Sequence, residues 1–217
     1  MKNLLIFGDS YSTFEGYIPE GYKTFYCTNG REGGAAVSKM NLEETWWRQV
    51  LDLSKDNLIL NDSWSGSTIG YTGYNGDDCS KSSSFIYRFR KLKESGFFKK
   101  NVIDTVFVFG GTNDSWCDAP LGEIKFSDWE EKDLYSVLPA ICYLVKSLKD
   151  ELPGSEIYFL INTDLKPEIT DCIKLCCKKY GVYPIELQCI DKESKHPTVK
   201  GMRSISKQVL AAYRKNQ

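Results

Sequence analysis

Short apolar runs alternate along this chain with segments whose apolar residues recur at helical spacing. The runs are rich in β-branched and aromatic residues and predict five strands, at Leu4–Phe7, Asn57–Asn61, Val102–Phe109, Glu156–Ile161 and Val182–Glu186. The helical spacing predicts helices over Glu43–Leu53, Ser83–Glu94, Glu131–Lys149, Pro167–Tyr180 and Thr198–Arg214. This alternation of strand and helix favours a parallel sheet with helices on both faces.

Long segments without regular periodicity follow the first three predicted strands. They cover Tyr11–Asn41, Ser63–Ser82 and Asn113–Glu130, and segments of this length inside a compact domain are usually functional. In a flavodoxin-like strand order of 2-1-3-4-5, the first and third strands are neighbours and ligands bind beyond their carboxyl ends. That order would place Gly8-Asp9-Ser10 opposite Gly110–Asp114. No composition break or repeat divides the chain, so residues 1–217 are predicted to be a single domain.

Composition and charge exclude several classes of protein. Hydrophobic residues make up 41% of the chain and charged residues 26%, the formal net charge is −1, and no basic run suggests nucleic-acid binding. Only four apolar residues precede Gly8, whereas a signal peptide needs roughly 7–15 and a membrane span about 20. We therefore expect a cytoplasmic protein without a membrane span, and the sequence leaves its oligomeric state open.

The eight cysteines do not form a recognisable framework. None belongs to a Cys-x-x-Cys pair, and the chain is long enough to fold without disulfides. Cys172, Cys176 and Cys177 lie together on a predicted helix, but the chain has a single histidine and a zinc site there would need almost only thiolates. Reduced, buried thiols are the favoured interpretation, and no metal or cofactor is predicted.

Four polar motifs follow one another in an order that carries more information than any of them alone. Gly8-Asp9-Ser10 follows the first strand, a turn containing Gly66 follows the second, Asn113 lies in Gly110–Asp114 after the third, and His196 precedes the last helix. A serine after a strand is often a helix cap, and a lone histidine is often structural. Each motif therefore keeps a purely structural interpretation when it is considered separately.

Together, these motifs resemble the four blocks of the SGNH, or GDSL-type, serine hydrolases over nearly the whole chain. The resemblance implies a flavodoxin-like α/β fold, a three-layer α/β/α sandwich around a five-stranded parallel sheet. It implies that Ser10 is the nucleophile and His196 the general base. It also implies an oxyanion hole formed by the amides of Ser10 and Gly66 and the side-chain amide of Asn113. Such a mechanism requires no cofactor and no metal.

The chain departs from that family at the acid that should orient the histidine. The family places an aspartate three residues before the histidine, where this chain has Glu193, and Asp191 lies two positions earlier. Glu193 has the expected spacing and Asp191 the expected residue type. The sequence slightly favours Glu193, and it leaves Asp191 or a plain serine–histidine dyad as alternatives.

Aromatic residues in the long loops suggest the kind of substrate. Tyr71 and Trp116 lie beside the two oxyanion motifs and are predicted to line the pocket, because aromatic rings suit stacking on sugars or small acyl groups. A short-acyl ester such as an acetylated carbohydrate is the preferred small-molecule substrate. Thioesterase, arylesterase or lysophospholipase activity remains an alternative, as does a non-catalytic carbohydrate-binding module. A nucleotide-binding role is disfavoured, because the loop after Gly8 has few glycines and no basic residue before Lys23.

Overall fold

Five parallel strands form the central sheet of the computed structural model, which describes residues 1–30 and 38–215. The strands are β1 (Asn3–Gly8), β2 (Asn57–Ser63), β3 (Thr105–Phe109), β4 (Glu156–Ile161) and β5 (Tyr183–Glu186). Their order in the sheet is β2-β1-β3-β4-β5, which confirms the predicted 2-1-3-4-5 arrangement. The carboxyl ends of β1 and β3 are therefore adjacent, with Gly8 paired to Phe109.

Helices cover both faces of this sheet and complete three layers. They are α1 (Trp46–Ser54), α2 (Phe85–Glu94), α3 (Phe97–Lys100), α4 (Thr112–Trp116), α5 (Val137–Glu151), α6 (Pro167–Tyr180) and α7 (Val199–Lys215). Successive strand residues point to opposite faces. Leu4 and Ile6 of β1 thus pack against α1 and α7, whereas Leu5 and Phe7 pack against α2, α5 and α6. The α/β/α sandwich predicted from the sequence is confirmed.

Two predicted helices are interrupted near their amino ends. The first begins as a 3-10 turn at Leu42–Glu44, and the α-helix starts only after Thr45, whose extended backbone and side chain cap it. The second begins as a 3-10 turn at Glu131–Tyr135 and is interrupted in the same way at Ser136. In both cases the apolar spacing continues across the break, so periodicity alone predicts one helix instead of two pieces.

The remaining elements are short, and all but the last strand pair lie in or directly next to the segments predicted to be irregular. Two more 3-10 turns occur at Ser10–Ser12 and Tyr74–Gly76. Two small strand pairs join Tyr26–Cys27 to Ser38–Lys39 and Lys192–Glu193 to His196–Pro197. Within the predicted irregular segment Tyr11–Asn41, residues 31–37 lie outside the described residues. Across the described ranges, no helix is long and apolar enough to cross a membrane.

Candidate active site

The turn after β1 holds Ser10 at the bottom of the crevice between β1 and β3. A Cβ atom on Gly8 would lie 2.3 Å from the Ser63 Oγ and 2.5 Å from the Ser12 Cβ, so the close approach of these segments requires glycine. Asp9 precedes a 3-10 turn and its carboxylate accepts a hydrogen bond of 3.0 Å from the Tyr11 amide. Asp9 thus ties down the turn, and Ser10 is left only 2% exposed.

His196 reaches Ser10 from a hairpin near the end of the chain. Its Nε2 lies 3.0 Å from the Ser10 Oγ, across 186 residues of sequence. The next residue, Pro197, pairs with Lys192 in the same hairpin. Thr198 follows, and its Oγ accepts a hydrogen bond from the amide of Gly201 in the first turn of α7. The hairpin therefore fixes the position of the histidine.

The other ring nitrogen of His196 faces a backbone carbonyl and not a carboxylate. Nδ1 lies 3.0 Å from the Ser194 carbonyl oxygen. Ser194 and Lys195 both have positive φ, 46° and 67°, as in the tight two-residue turns that close hairpins. A non-glycine residue in this conformation costs of order 1 kcal/mol. The strained turn is the element that presents the Ser194 carbonyl to the ring.

Neither acidic candidate from the sequence contacts the histidine ring. Asp191 accepts a hydrogen bond from the Thr198 hydroxyl, so its carboxylate faces the start of α7. Glu193 is exposed, and its carboxylate has no hydrogen bond or ion pair among the described residues. Because a backbone carbonyl carries no residue-specific signal, sequence reasoning could not have found Ser194.

Aromatic side chains hold the hairpin against the sheet. The Tyr11 and Tyr26 hydroxyls donate to the Lys195 and Pro197 carbonyls, and the Phe25 ring stacks on His196 with a centroid distance of 3.6 Å. This burial lowers the pKa of His196 below its usual value, and the positive charge of nearby Lys192 lowers it further. The ring is therefore held in the neutral form near pH 7.

The turn after β2 lies beside the end of β1, which carries Ser10 in the turn that follows it. The Ser67 amide donates 3.1 Å to the Trp64 carbonyl, and Gly66 has a φ of 83°, the conformation that a type II turn demands at its third position. The Trp64 amide donates to the Gly8 carbonyl and joins this turn to the end of β1. The backbone amides of Ser10 and Gly66 have no hydrogen-bond partner among the described residues.

Asn113 lies at the start of α4 and is fixed by two hydrogen bonds. Its Nδ2 donates 2.9 Å to the Ser67 carbonyl, and its Oδ1 accepts 2.8 Å from the Tyr74 hydroxyl. The next residue, Asp114, accepts hydrogen bonds from the Ile69 and Gly70 amides, and burial raises its pKa to about 6. The two polar motifs that follow β2 and β3 are thereby locked together.

A buried arginine, Arg88, also connects the end of β1 with the turn after β2. Arg88 and Asp62 form an ion pair of 2.8 Å in which each side chain is 1% exposed. The guanidinium also donates to the Gly8 carbonyl and to the Ser67 Oγ, each at 3.2 Å, and to the Ser83 carbonyl. One side chain thus connects the end of β1, the Gly66 turn and the start of α2.

The two aromatic residues predicted to line the pocket lie in different environments. Trp116 packs beside the site, with its ring centroid 5.8 Å from that of His196. Tyr71 is 1% exposed, its ring packs on Tyr135 and its hydroxyl accepts a hydrogen bond from Arg90. Tyr74, in the same loop and 39% exposed, is the tyrosine that contacts Asn113. The apolar pattern of the sequence could not distinguish Tyr71 from Tyr74, because both residues lie in an irregular segment.

The chain is similar over nearly its whole length to a known family and to solved structures. The family model for GDSL-like lipases/acylhydrolases matches residues 2–213. A Bacteroides ovatus protein named as a GDSL-like lipase has a structure with a TM-score of 0.88 and 41% identity, covering 99% of each chain. A similarly named Bacteroides uniformis protein has a TM-score of 0.87 and 40% identity, covering 99% of this chain and 96% of that one. No curated protein matches the sequence.

More distant structures share the fold. An acetyl xylan esterase from Butyrivibrio proteoclasticus has a TM-score of 0.63 and 17% identity, covering 99% of this chain and 64% of that one. A family two carbohydrate esterase from Clostridium thermocellum, in complex with cellohexaose, has a TM-score of 0.66 and 18% identity with the same coverage. At this level of identity the likeness concerns the fold alone.

Proposed function

Because the chain belongs to the GDSL-like lipase/acylhydrolase family, we propose that it cleaves carboxylic esters with Ser10 as nucleophile. The observation that carries the proposal is the 3.0 Å contact between the Ser10 Oγ and the His196 Nε2. A serine hydroxyl becomes a strong nucleophile when a neighbouring imidazole accepts its proton. His196 is suited to that role because its pKa is lowered, so that the ring is neutral at physiological pH.

The proposed reaction proceeds through an acyl-enzyme. Nδ1–H of His196 donates to the Ser194 carbonyl, which leaves Nε2 free to accept the Ser10 proton as Oγ attacks the ester carbonyl. The amides of Ser10 and Gly66 and the second N–H of Asn113 Nδ2 would stabilise the oxyanion. His196 then protonates the leaving alkoxide, and water hydrolyses the acyl-serine by the same proton transfers in reverse.

In this mechanism the Ser194 carbonyl replaces the usual carboxylate, and the catalytic pair is a dyad. We therefore expect Glu193→Gln and Asp191→Asn to change kcat by less than about threefold. A carboxylate that orients a catalytic histidine typically contributes about 10⁴-fold to kcat, so steady-state kinetics separates the two cases. A loss above about 100-fold in one variant only would assign the orienting role to that acid and contradict the dyad.

The acidic limb of the pH–activity profile should report the lowered pKa of His196. The base must be neutral, so we expect kcat/KM to reach half its maximum below pH 6.5, the usual pKa of histidine. Lys192→Met removes a like charge and should move this midpoint upward. Lys99→Met, at the opposite end of the sheet, is the control and should leave the midpoint in place. A wild-type midpoint above 6.5 would contradict the expectation.

Tyr74 should act as a positioning residue for Asn113. Tyr74→Phe removes the hydroxyl that fixes Oδ1 and lets the side-chain amide turn, so we expect kcat to fall about 3–10-fold with KM unchanged. Loss of a complete oxyanion donor typically costs about 10²–10³ in kcat, which sets the expectation for Asn113→Ala. Tyr17→Phe, another half-exposed tyrosine, is the matched control. An increase in KM alone would instead assign Tyr74 to substrate binding.

Esters of short acids with a hydroxyl-rich alcohol are the proposed substrates. Ser10 is only 2% exposed, which favours a small acyl group. A cavity of about 300 Å³ adjoins His196, the group that protonates the leaving alcohol, and combines the Phe25 ring with Lys39 and Glu193. Rings beside polar groups suit sugars, and two neighbours that share the fold are named as carbohydrate esterases.

A substrate panel tests this proposal. Initial rates would be measured for 4-nitrophenyl acetate, butyrate and octanoate, for acetylated xylo-oligosaccharides and for acetyl thioesters. We expect the acetyl esters to react fastest and the octanoate slowest. A preference for octanoate would replace the short-acyl proposal by a lipase-like one, and hydrolysis of thioesters alone would assign a thioesterase. Binding of acetylated sugars without any turnover would instead support a non-catalytic binding module.

A further inference from the structure

Three buried thiols converge in the core between α5 and α6, outside the candidate active site. Cys142 lies on α5, and Cys172 and Cys176 lie one helical turn apart on α6. The Cys142 Sγ is 3.8 Å from the Cys172 Sγ and 3.3 Å from the Cys176 Sγ. All three sulfur atoms lie within 4.8 Å of one another. Sequence spacing could not show this cluster, because Cys142 is contributed by another helix.

These distances are those of sulfur ligands that share one central atom. With a bond of about 2.3 Å to each sulfur, two sulfurs on one centre are separated by roughly 3.4–4.0 Å, from a pyramidal to a planar three-coordinate centre. The two distances from the Cys142 Sγ, 3.8 and 3.3 Å, lie in or close to this range, and the remaining pair of sulfurs lies within 4.8 Å. Among the described residues, no histidine, carboxylate or further cysteine supplies a fourth ligand to the cluster. The arrangement therefore suits a three-coordinate centre.

The surroundings of the cluster determine which charge it can hold. Cys142, Cys172 and Cys176 are fully buried in the same apolar core as Ile141 and Ile173, and the Leu138 carbonyl accepts a hydrogen bond from Cys172. A net charge in such a place is costly. Three thiolates leave a divalent ion with a net charge of −1, whereas a trivalent ion with three thiolates is neutral.

We propose that Cys142, Cys172 and Cys176 form a capture site for a trivalent thiophilic centre, with arsenous acid as the form taken up. Three S–H bonds and three As–O bonds break, three As–S bonds form, and the released protons and hydroxides leave as three water molecules. No electron is transferred, and reactants and products are all neutral. The product would join α5 to α6 covalently through one arsenic atom.

A segment without regular secondary structure covers the cluster. Residues 117–130 form neither helix nor strand, and the backbone amide of Lys125 in this segment faces Cys142. The Tyr180 hydroxyl holds the segment through a hydrogen bond of 3.3 Å to the Phe126 carbonyl. Displacement of this segment would expose the thiols without unfolding either helix.

Arsenite binding to the reduced full-length protein tests the proposal. One equivalent of arsenite is added, and native mass spectrometry measures the mass gain while a thiol reagent under denaturing conditions counts the protected cysteines. We expect one arsenic per chain, three protected thiols and a higher Tm. Proteolysis of the adduct should yield a peptide containing Cys142 linked to one containing Cys172 and Cys176. This readout does not depend on esterase activity.

Two single variants supply the comparison. Cys142→Ala should lower the affinity for arsenite at least about 100-fold, since one of three bonds is lost. Cys177→Ala removes a neighbouring buried thiol on the same helix that is not in the cluster and should bind like the wild type. No uptake by the wild type, protection of fewer than three thiols, or equal loss in Cys177→Ala would overturn the proposal. Tighter binding of Zn²⁺ or Cd²⁺ than of arsenite would overturn the charge argument.

Discussion

Ser10→Ala is expected to lower kcat for 4-nitrophenyl acetate by about 10⁴-fold or more, because removing the nucleophile of a serine hydrolase typically has an effect of this size. The substitution deletes one oxygen at a position that is 2% exposed. The turn keeps its backbone hydrogen bonds, including those from the Thr13 amide and hydroxyl to the Ser10 carbonyl. The loss should therefore appear in activity and leave the Tm nearly unchanged.

A fluorophosphonate label, located by mass spectrometry, tests whether Ser10 is the nucleophile without depending on the choice of substrate. The label should be found on Ser10 in the wild type and be absent from Ser10→Ala. Ser12→Ala is the matched control, because the Ser12 Oγ accepts from the Trp46 indole and does not face His196. Labelling of another residue, or a kcat for Ser10→Ala within tenfold of the wild type, would contradict Ser10 as nucleophile.

Arg88→Met should produce the largest loss of stability, about 3–5 kcal/mol in the free energy of unfolding. Removing one member of a buried ion pair leaves an uncompensated charge, and that is the typical cost. Burial already raises the pKa of Asp62, against the effect of Arg88. Without the guanidinium, this carboxylate would lose its ion-pair partner and the Gly8 carbonyl would keep only the Trp64 amide as a donor. The turns that carry Ser10 and Gly66 should loosen as a result.

Urea denaturation at two pH values measures this effect and its origin. The orphaned Asp62 in Arg88→Met should bind a proton more tightly than the unfolded chain does, so the variant should lose stability as the pH rises and be closest to the wild type near pH 5. Arg88→Met combined with Asp62→Asn should recover part of the loss at pH 8. Arg48→Met, which breaks an exposed ion pair, should cost less than about 1 kcal/mol. A similar loss of stability in Arg88→Met and Arg48→Met would contradict a special role for Arg88.

The parallel sheet could be predicted because its strands are buried on both faces. Their nearly continuous apolar runs stand out from the amphipathic helices between them. The start of β3 was placed three residues too early, since Val102 is apolar yet 71% exposed. The breaks at Thr45 and Ser136 could not be found from periodicity, because backbone geometry at a cap is independent of the apolar pattern.

At the candidate site, side chains with distinctive chemistry were easier to find than the groups that hold them. Ser10, His196 and Asn113 stood out because nucleophiles, bases and amides occur in recognisable motifs. The choice of Tyr71 over Tyr74 rested on distance along the chain, whereas the loop turns Tyr71 inward to Arg90. Arg88 looked like an ordinary residue of an amphipathic helix, and only the packing of three segments around it reveals its role.

Helix geometry also explains why the cluster in the structure is not formed by Cys172, Cys176 and Cys177, the three cysteines that lie together in the sequence. Residues four apart lie on one face of a helix, whereas adjacent residues point about 100° apart. Cys172 and Cys176 therefore face α5 together, and Cys177 turns away from them. The third thiol comes from α5, which the sequence separates from α6 by a strand.

The turn at Ser194 and Lys195 has a consequence for how such sites respond to mutation. A carboxylate can be lost by a single codon change, but the carbonyl next to His196 is present whichever amino acid occupies position 194. What could remove it is a change in the path of the chain, such as an insertion between Glu193 and His196. Pattern searches that demand an aspartate three residues before the histidine would pass over this chain, which has Glu193 there, whereas searches for the hairpin would retain it.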